Sequence, residues 1–145
     1  MNNCFLLLIP ILIWNLIFTP KLTGVGYMVG AKDIKSLKVF EEILRMAIFI
    51  IPLFMRFDTF DKYFKNHIYL FFIGVVIYFG SWLMIIYFPN SCWSTSMIGL
   101  LAPGYTPLIW LIGIGLLGNF KAYNYLAVLF IAIHVLSSYF KLKGV

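Results

Sequence analysis

From residue 66 to residue 120 the chain carries no Asp, Glu, Lys or Arg, and the same holds for residues 1–20 and 122–140. A helix that crosses the roughly 30 Å hydrocarbon core of a bilayer needs about 20 predominantly apolar residues. The longest gap therefore has room for two crossings with a turn between them. In hydrocarbon every backbone N–H and C=O must be satisfied internally, which leaves helices and closed barrels as spanning structures. The long apolar runs lack the alternation of barrel strands. Composition agrees: 63% hydrophobic, 19% aromatic and 11% charged is far from a soluble average. The expected fold is all-α, a small polytopic transmembrane bundle of about five helices forming one integral membrane domain over residues 1–145. Its second helix is short or re-entrant, and its fourth is broken between Pro103 and Pro107.

The segments follow from the punctuation. The first covers residues 5–18, with Pro10 inside it, Asn15 as its polar residue and Pro20 as a stop signal. It lacks a basic leader and a small-residue cleavage site, so it is expected to be retained as a first span. A glycine-rich loop with Gly24, Gly26 and Gly30 follows. Asp33 or Ser36 then caps a second helix whose apolar positions Ile34, Leu37, Phe40, Leu44, Ala47 and Ile51 recur at helical spacing. Only the stretch 46–55 separates Arg45 from Arg56 without a charge, which is short for a span. A charged, aromatic connector over 56–67 leads to the clearest span, 68–88. A polar turn over 89–96 makes that span antiparallel to the fourth, 97–117, and a fifth occupies 122–140.

The net charge of +6 flanks apolar segments instead of forming a basic face on a soluble scaffold. Nucleic acid is excluded, and anionic headgroups are the expected partner of Lys21, Lys32, Lys35, Lys38 and Arg45. Five spans with the N-terminus outside place seven Lys and Arg inside against four outside; a re-entrant second helix gives nine against two. The positive-inside rule favours the second arrangement, whereas helix length and amphipathic continuity favour the first. The two arrangements differ at the cysteines. Five spans put Cys4 and Cys92 at opposite faces, and a re-entrant helix puts both outside, where a disulfide becomes possible.

Several constellations carry candidate chemistry. Gly113, Gly115 and Gly118 match the letters GxGxxG, but no acidic residue follows Asp61, so they read as a helix-packing face and not as a nucleotide site. Pro103, Gly104, Tyr105, Thr106 and Pro107 interrupt an apolar helix. They form either a kink or a wall whose freed backbone groups face a ligand. His134 lies on a polar stripe with Asn124, Ser138 and Lys141, and an ionisable residue inside a span is a functional-site candidate by default. The alternative is a neutral histidine bonded to a neighbouring helix. Glu41, Glu42 and Arg45 sit at i, i+3 and i, i+4 spacing, which equally describes a salt-bridged surface turn. Asp58, Asp61 and His67 match no metal template, and no metal or cofactor is expected.

Three functions are compatible with these features. The first is non-enzymatic: a bundle with an interior polar site of Pro103, Gly104, Tyr105, Thr106, Asn124, His134 and Ser138 that binds or transports a small or amphipathic solute, lipid-like or anionic. The second is a membrane-embedded enzyme acting on a lipid, with His134, Cys92, Glu41 or Glu42 in acid-base or nucleophilic roles. The third is an accessory subunit of a larger membrane complex. A chain this small is expected to work as a homo-oligomer or beside a membrane-protein partner. A cytoplasmic (inner) membrane is the default location, because helical spans do not suit a bacterial outer membrane.

Overall fold

The computed structural model describes residues 2–25 and 34–144; Gly26, Gly30, Lys32 and Asp33 lie outside the described residues. The helices are α1 (Phe5–Gly24), α2 (Lys35–Ile50) continued by a 3-10 turn (Ile51–Leu53), α3 (Phe64–Tyr87), the single turn α4 (Cys92–Thr95), α5 (Met97–Tyr105), α6 (Pro107–Leu117) and α7 (Lys121–Lys143). No strand occurs among the described residues, and the chain is an all-helical bundle. Four helical stretches are long and apolar enough to cross a membrane: α1, α3, α5 with α6, and α7. This is the architecture of a multi-pass membrane protein.

Two local expectations are corrected. Pro20 does not stop α1, which continues to Gly24 and reaches 20 residues, about 30 Å at 1.5 Å per residue. Proline withholds one N–H, and the neighbouring Thr19 and Thr23 hydroxyls add bonds to the carbonyls of Asn15 and Pro20 at 2.5 and 2.9 Å. On α2 the cap position is Ile34 and Ser36 lies within the first turn. The buried face of α2 is Glu41, Leu44 and Ile48, while Phe40 points outward.

The centre of the bundle is the contact of α3 with α6. The buried positions of α3 include Phe71, Gly74, Val75, Tyr78 and Trp82, which follow helical periodicity. Two glycines bring the backbones together. A Cβ on Gly74 would lie 2.5 Å from the Trp110 backbone nitrogen, and one on Gly113 would lie 2.9 Å from the Phe71 Cα. Gly118 makes room for the Met55 side chain and the Cys4 sulfur. The GxGxxG letters are thus a packing face.

The interrupted fourth helix is a kink. Thr106, between α5 and α6, keeps helical angles of φ −61° and ψ −27°. Its N–H and hydroxyl both donate to the Ala102 carbonyl, at 3.0 and 2.6 Å. Pro103 and Pro107 each bring no N–H to the carbonyl four residues earlier, which bends the axis without unwinding it. α6 ends in a complete Schellman motif: Asn119, at φ 49°, donates to Leu116, and Phe120 donates to Gly115.

The connections define two ends. At one, the N-terminus meets the segment after α2: the Cys4 N–H donates to Met55, the Phe57 N–H to Asn2, and the Asn3 side chain to Leu53. At the other, α1, α3 and α7 finish and α2 and α5 begin. α2 therefore runs the length of the bundle antiparallel to α7, with Glu41 level with His134 and the Ile48 carbonyl bonded to the Tyr123 hydroxyl. α2, with 16 residues, is the short second helix expected and is not among the stretches long and apolar enough to span. Cys4 is buried near the first end, Cys92 lies in α4 at the other, and both are free thiols.

Candidate functional site

A cavity of about 420 Å³ opens between α1, α2, α3, the kinked α5–α6 pair and α7. Its lining runs along the helices from the end rich in lysine. Leu22, Trp82, Ser138 and Lys141 stand nearest that end; Asn15, Glu41, Arg45, Tyr78, Pro103, Gly104 and His134 form the middle; Ile48, Phe49, Trp110 and Phe130 form the floor. At 1.5 Å per residue from the end of α7, Phe130 lies about 20 Å down. Below it the bundle is dry: Leu8, Ile11, Leu111, Ile114 and Tyr123 are fully buried. The cavity lining does not extend into this layer.

Its chemical centre joins α2 to α7. The Glu41 carboxylate, 4% exposed, accepts from Arg45 one helical turn later on its own helix and shares a 2.7 Å hydrogen bond with His134 Nδ1. Arg45 also donates to Glu42 at 3.2 Å, and its side chain is 37% exposed. Burying a carboxylate without donors would be expensive, and two cationic or potentially cationic partners remove that cost. The His134 ring stacks on Phe130 with centroids 5.6 Å apart. With Nδ1 committed to Glu41, Nε2 faces the kink, 3.8 Å from the position a Gly104 Cβ would take. Glycine at 104 thus leaves room beside the free edge of the imidazole. Across the cavity the Tyr78 hydroxyl donates to Asn15 Oδ1 at 2.7 Å and ties α3 to α1.

Of the residues expected to form a site, Pro103, Gly104, His134 and Ser138 line the cavity together with Glu41 and Arg45. Tyr105 and Thr106 do not: Tyr105 packs against the core, and the buried Thr106 hydroxyl is held by Ala102 with Ser81 3.4 Å away. Asn124 lies one turn into α7 at the far end, its Oδ1 pressed against Gly115. Cys92 is exposed and Glu42 half-exposed, both outside the lining. Lys21, Lys35 and Lys38 belong to the helix ends nearer the cavity. Asn15, Tyr78, Trp82 and Trp110 complete the lining without having been singled out for it. Asn15 carried a signal as the one amide in its apolar segment; the aromatic residues carried none, since aromatics are common throughout the chain.

Compared with protein-family models, curated proteins and solved structures, the chain matches none. The functional reading therefore rests on the geometry of the cavity.

Proposed function

We propose that this protein binds, and in its membrane moves or presents, a small or amphipathic solute held in the cavity between α1, α2, α3, α5–α6 and α7. The observation that carries this reading is the convergence of Glu41, Arg45, His134 and Ser138 on one cavity inside an otherwise apolar bundle. Polar groups are costly in such a setting and mark ligand or ion paths in membrane proteins. The volume falls within the roughly 300–1,000 Å³ usual for small-molecule sites. The dry layer beneath makes binding from one side the basic event, and movement to the other side would require a second conformation.

Native mass spectrometry of the gently extracted protein tests this. A small molecule retained by the wild type and lost in His134→Ala and Gly104→Leu, with helical content unchanged, is the expected result. Retention by both variants would reject the site.

A second reading, catalysis on a lipid, draws on one specific feature. A carboxylate bonded to Nδ1 fixes the tautomer of a histidine and leaves Nε2 able to exchange a proton with a substrate, the geometry a general base needs. Turnover of membrane lipid by purified protein, abolished by His134→Gln, would favour it over simple binding.

A further inference from the structure

We infer that the cavity takes one acyl chain of a bilayer lipid, which enters sideways from the leaflet at the lysine-rich end through a gap between α1 and α2. The inference rests on the solute-binding reading above and names the class of the solute and its route. The helices pack as an open arc. α1 lies against α3, α3 against α5 and α6, these against α7, and α7 against α2, while no interface of comparable extent joins α2 back to α1. Both ends of the arc nevertheless line the cavity, α1 through Asn15 and Thr19 and α2 through Arg45 and Phe49. At the far end the two are tied, where the Cys4 N–H donates to Met55 and the Asn3 side chain to Leu53. The borders of the gap are apolar. Trp14 stacks on Phe79 of α3 and on Phe18, so the opposite edge of α1 is the one that borders the gap, and it carries the exposed Leu12 and Leu16.

Depth points the same way. In α1 and α3 the lining lies in the half of the helix nearer the lysines, and in α7 it runs from Phe130, near the middle, to Lys141. Phe140 is the last residue of the charge-free run 122–140. Measured from it at 1.5 Å per residue, His134 lies about 9 Å down and Phe130 about 15 Å down, and 15 Å is the middle of a hydrocarbon core roughly 30 Å thick. The cavity is thus about as deep as one leaflet. Its polarity also runs as a lipid does. Ser138, His134 and the Glu41 carboxylate, with the Arg45 guanidinium drawn back to it, stand nearer the headgroups, and Ile48, Phe49 and Phe130 lie beneath them. Water needs two to four polar partners, which an apolar floor does not supply. The bilayer supplies a hydrocarbon chain at that depth, and packing against the floor is what the site adds for a chain already out of water.

The test places the full-length protein in nanodiscs of phosphatidylcholine doped with a phosphatidylcholine that carries a diazirine midway along one acyl chain. After irradiation, mass spectrometry of the digested protein maps the attachment sites. The expected result is labelling of Glu41, Phe49 and Phe130 in the cavity, besides labelling of the outward residues Ile13 and Val76. Gly104→Leu, which fills the space beside His134, and Thr19→Trp, which narrows the gap, should each lower the cavity labelling by about tenfold and leave the outward sites unchanged. Thr19 is exposed, so its variant carries the comparison if Gly104→Leu does not fold. Labelling confined to outward residues, while native mass spectrometry still finds a molecule lost in His134→Ala, would overturn the lipid and leave the solute-binding reading standing. Cavity labelling present with one protein per nanodisc and absent with two would assign the gap to a second copy and likewise overturn the lipid. Cavity labelling indifferent to both substitutions would overturn the route and the site. Neither labelling in the cavity nor a retained molecule would overturn this inference and the solute-binding reading together.

Discussion

Glu41 follows Leu37 by four residues and precedes Leu44 and Ile48 by three and seven, so its own helix places it in the middle of the inward face. That placement was readable, but the local spacing to Arg45 explained the same residue equally well as an exposed pair. Only His134, ninety-three residues away, distinguishes the two. His134 itself was conspicuous, being the one histidine in a stretch without Asp, Glu, Lys or Arg between Lys121 and Lys141. Glu41→Ala removes the acceptor that joins α2 to α7 but leaves Arg45 with Glu42, so it should lower stability by about 1–2 kcal/mol. Thermal unfolding in detergent followed by circular dichroism checks this, and Glu42→Ala, at the exposed site, should shift the midpoint little. The cysteines give a second expectation. Burial pushes the Cys4 thiol up to about 11 and encloses it fully. At pH 8 maleimide should therefore modify the exposed Cys92 and spare Cys4 until the protein is unfolded, because the thiolate is the reacting form. Mass spectrometry of the labelled protein reads out both sites.

Among the elements, α3 and α6 depend on one another through glycine. Glycine spacing in the fourth span announced a packing face, yet the partner was not encoded in that spacing; the pairing with Phe71 and Trp110 belongs to the assembled bundle. A side chain at position 74 must displace backbone, not the flexible end of a neighbour. Gly74→Leu should therefore destabilise by about 1–3 kcal/mol, the usual cost of overpacking. Gly80→Leu, where a Cβ meets nothing within 4 Å, should be tolerated and serves as the control. The kink at Thr106 belongs to this scale too. Two prolines and a glycine signalled an interruption, whereas its form, a bend that keeps helical angles, follows from the Ala102 carbonyl being satisfied twice by Thr106.

The whole molecule has two unlike ends, and Lys21, Lys35, Lys38, Lys141 and Lys143 gather at the one nearer the cavity. Arg56, Lys62, Lys65 and Lys121 belong to the other. By the positive-inside rule the expected orientation puts the lysine-rich end on the cytoplasmic side. An impermeant maleimide added to intact cells should fail to reach Cys92 and should reach a cysteine introduced at Asn119; labelling of Cys92 in intact cells would reverse the orientation. What the sequence determined by itself is the membrane class, the apolar segments and the interruption of the fourth helix, because hydrocarbon imposes length and charge limits that are local and can be read residue by residue. It could not decide the path of α2. Charge counting preferred a dip, and the charges on that helix were costly to carry through a membrane. The tertiary structure decided what α2 packs against, since α7 offers His134 to Glu41 and the Tyr123 hydroxyl to Ile48. Pairing between distant helices turned a marginal segment into one wall of the cavity, and burial of a charge is affordable only where that partner stands.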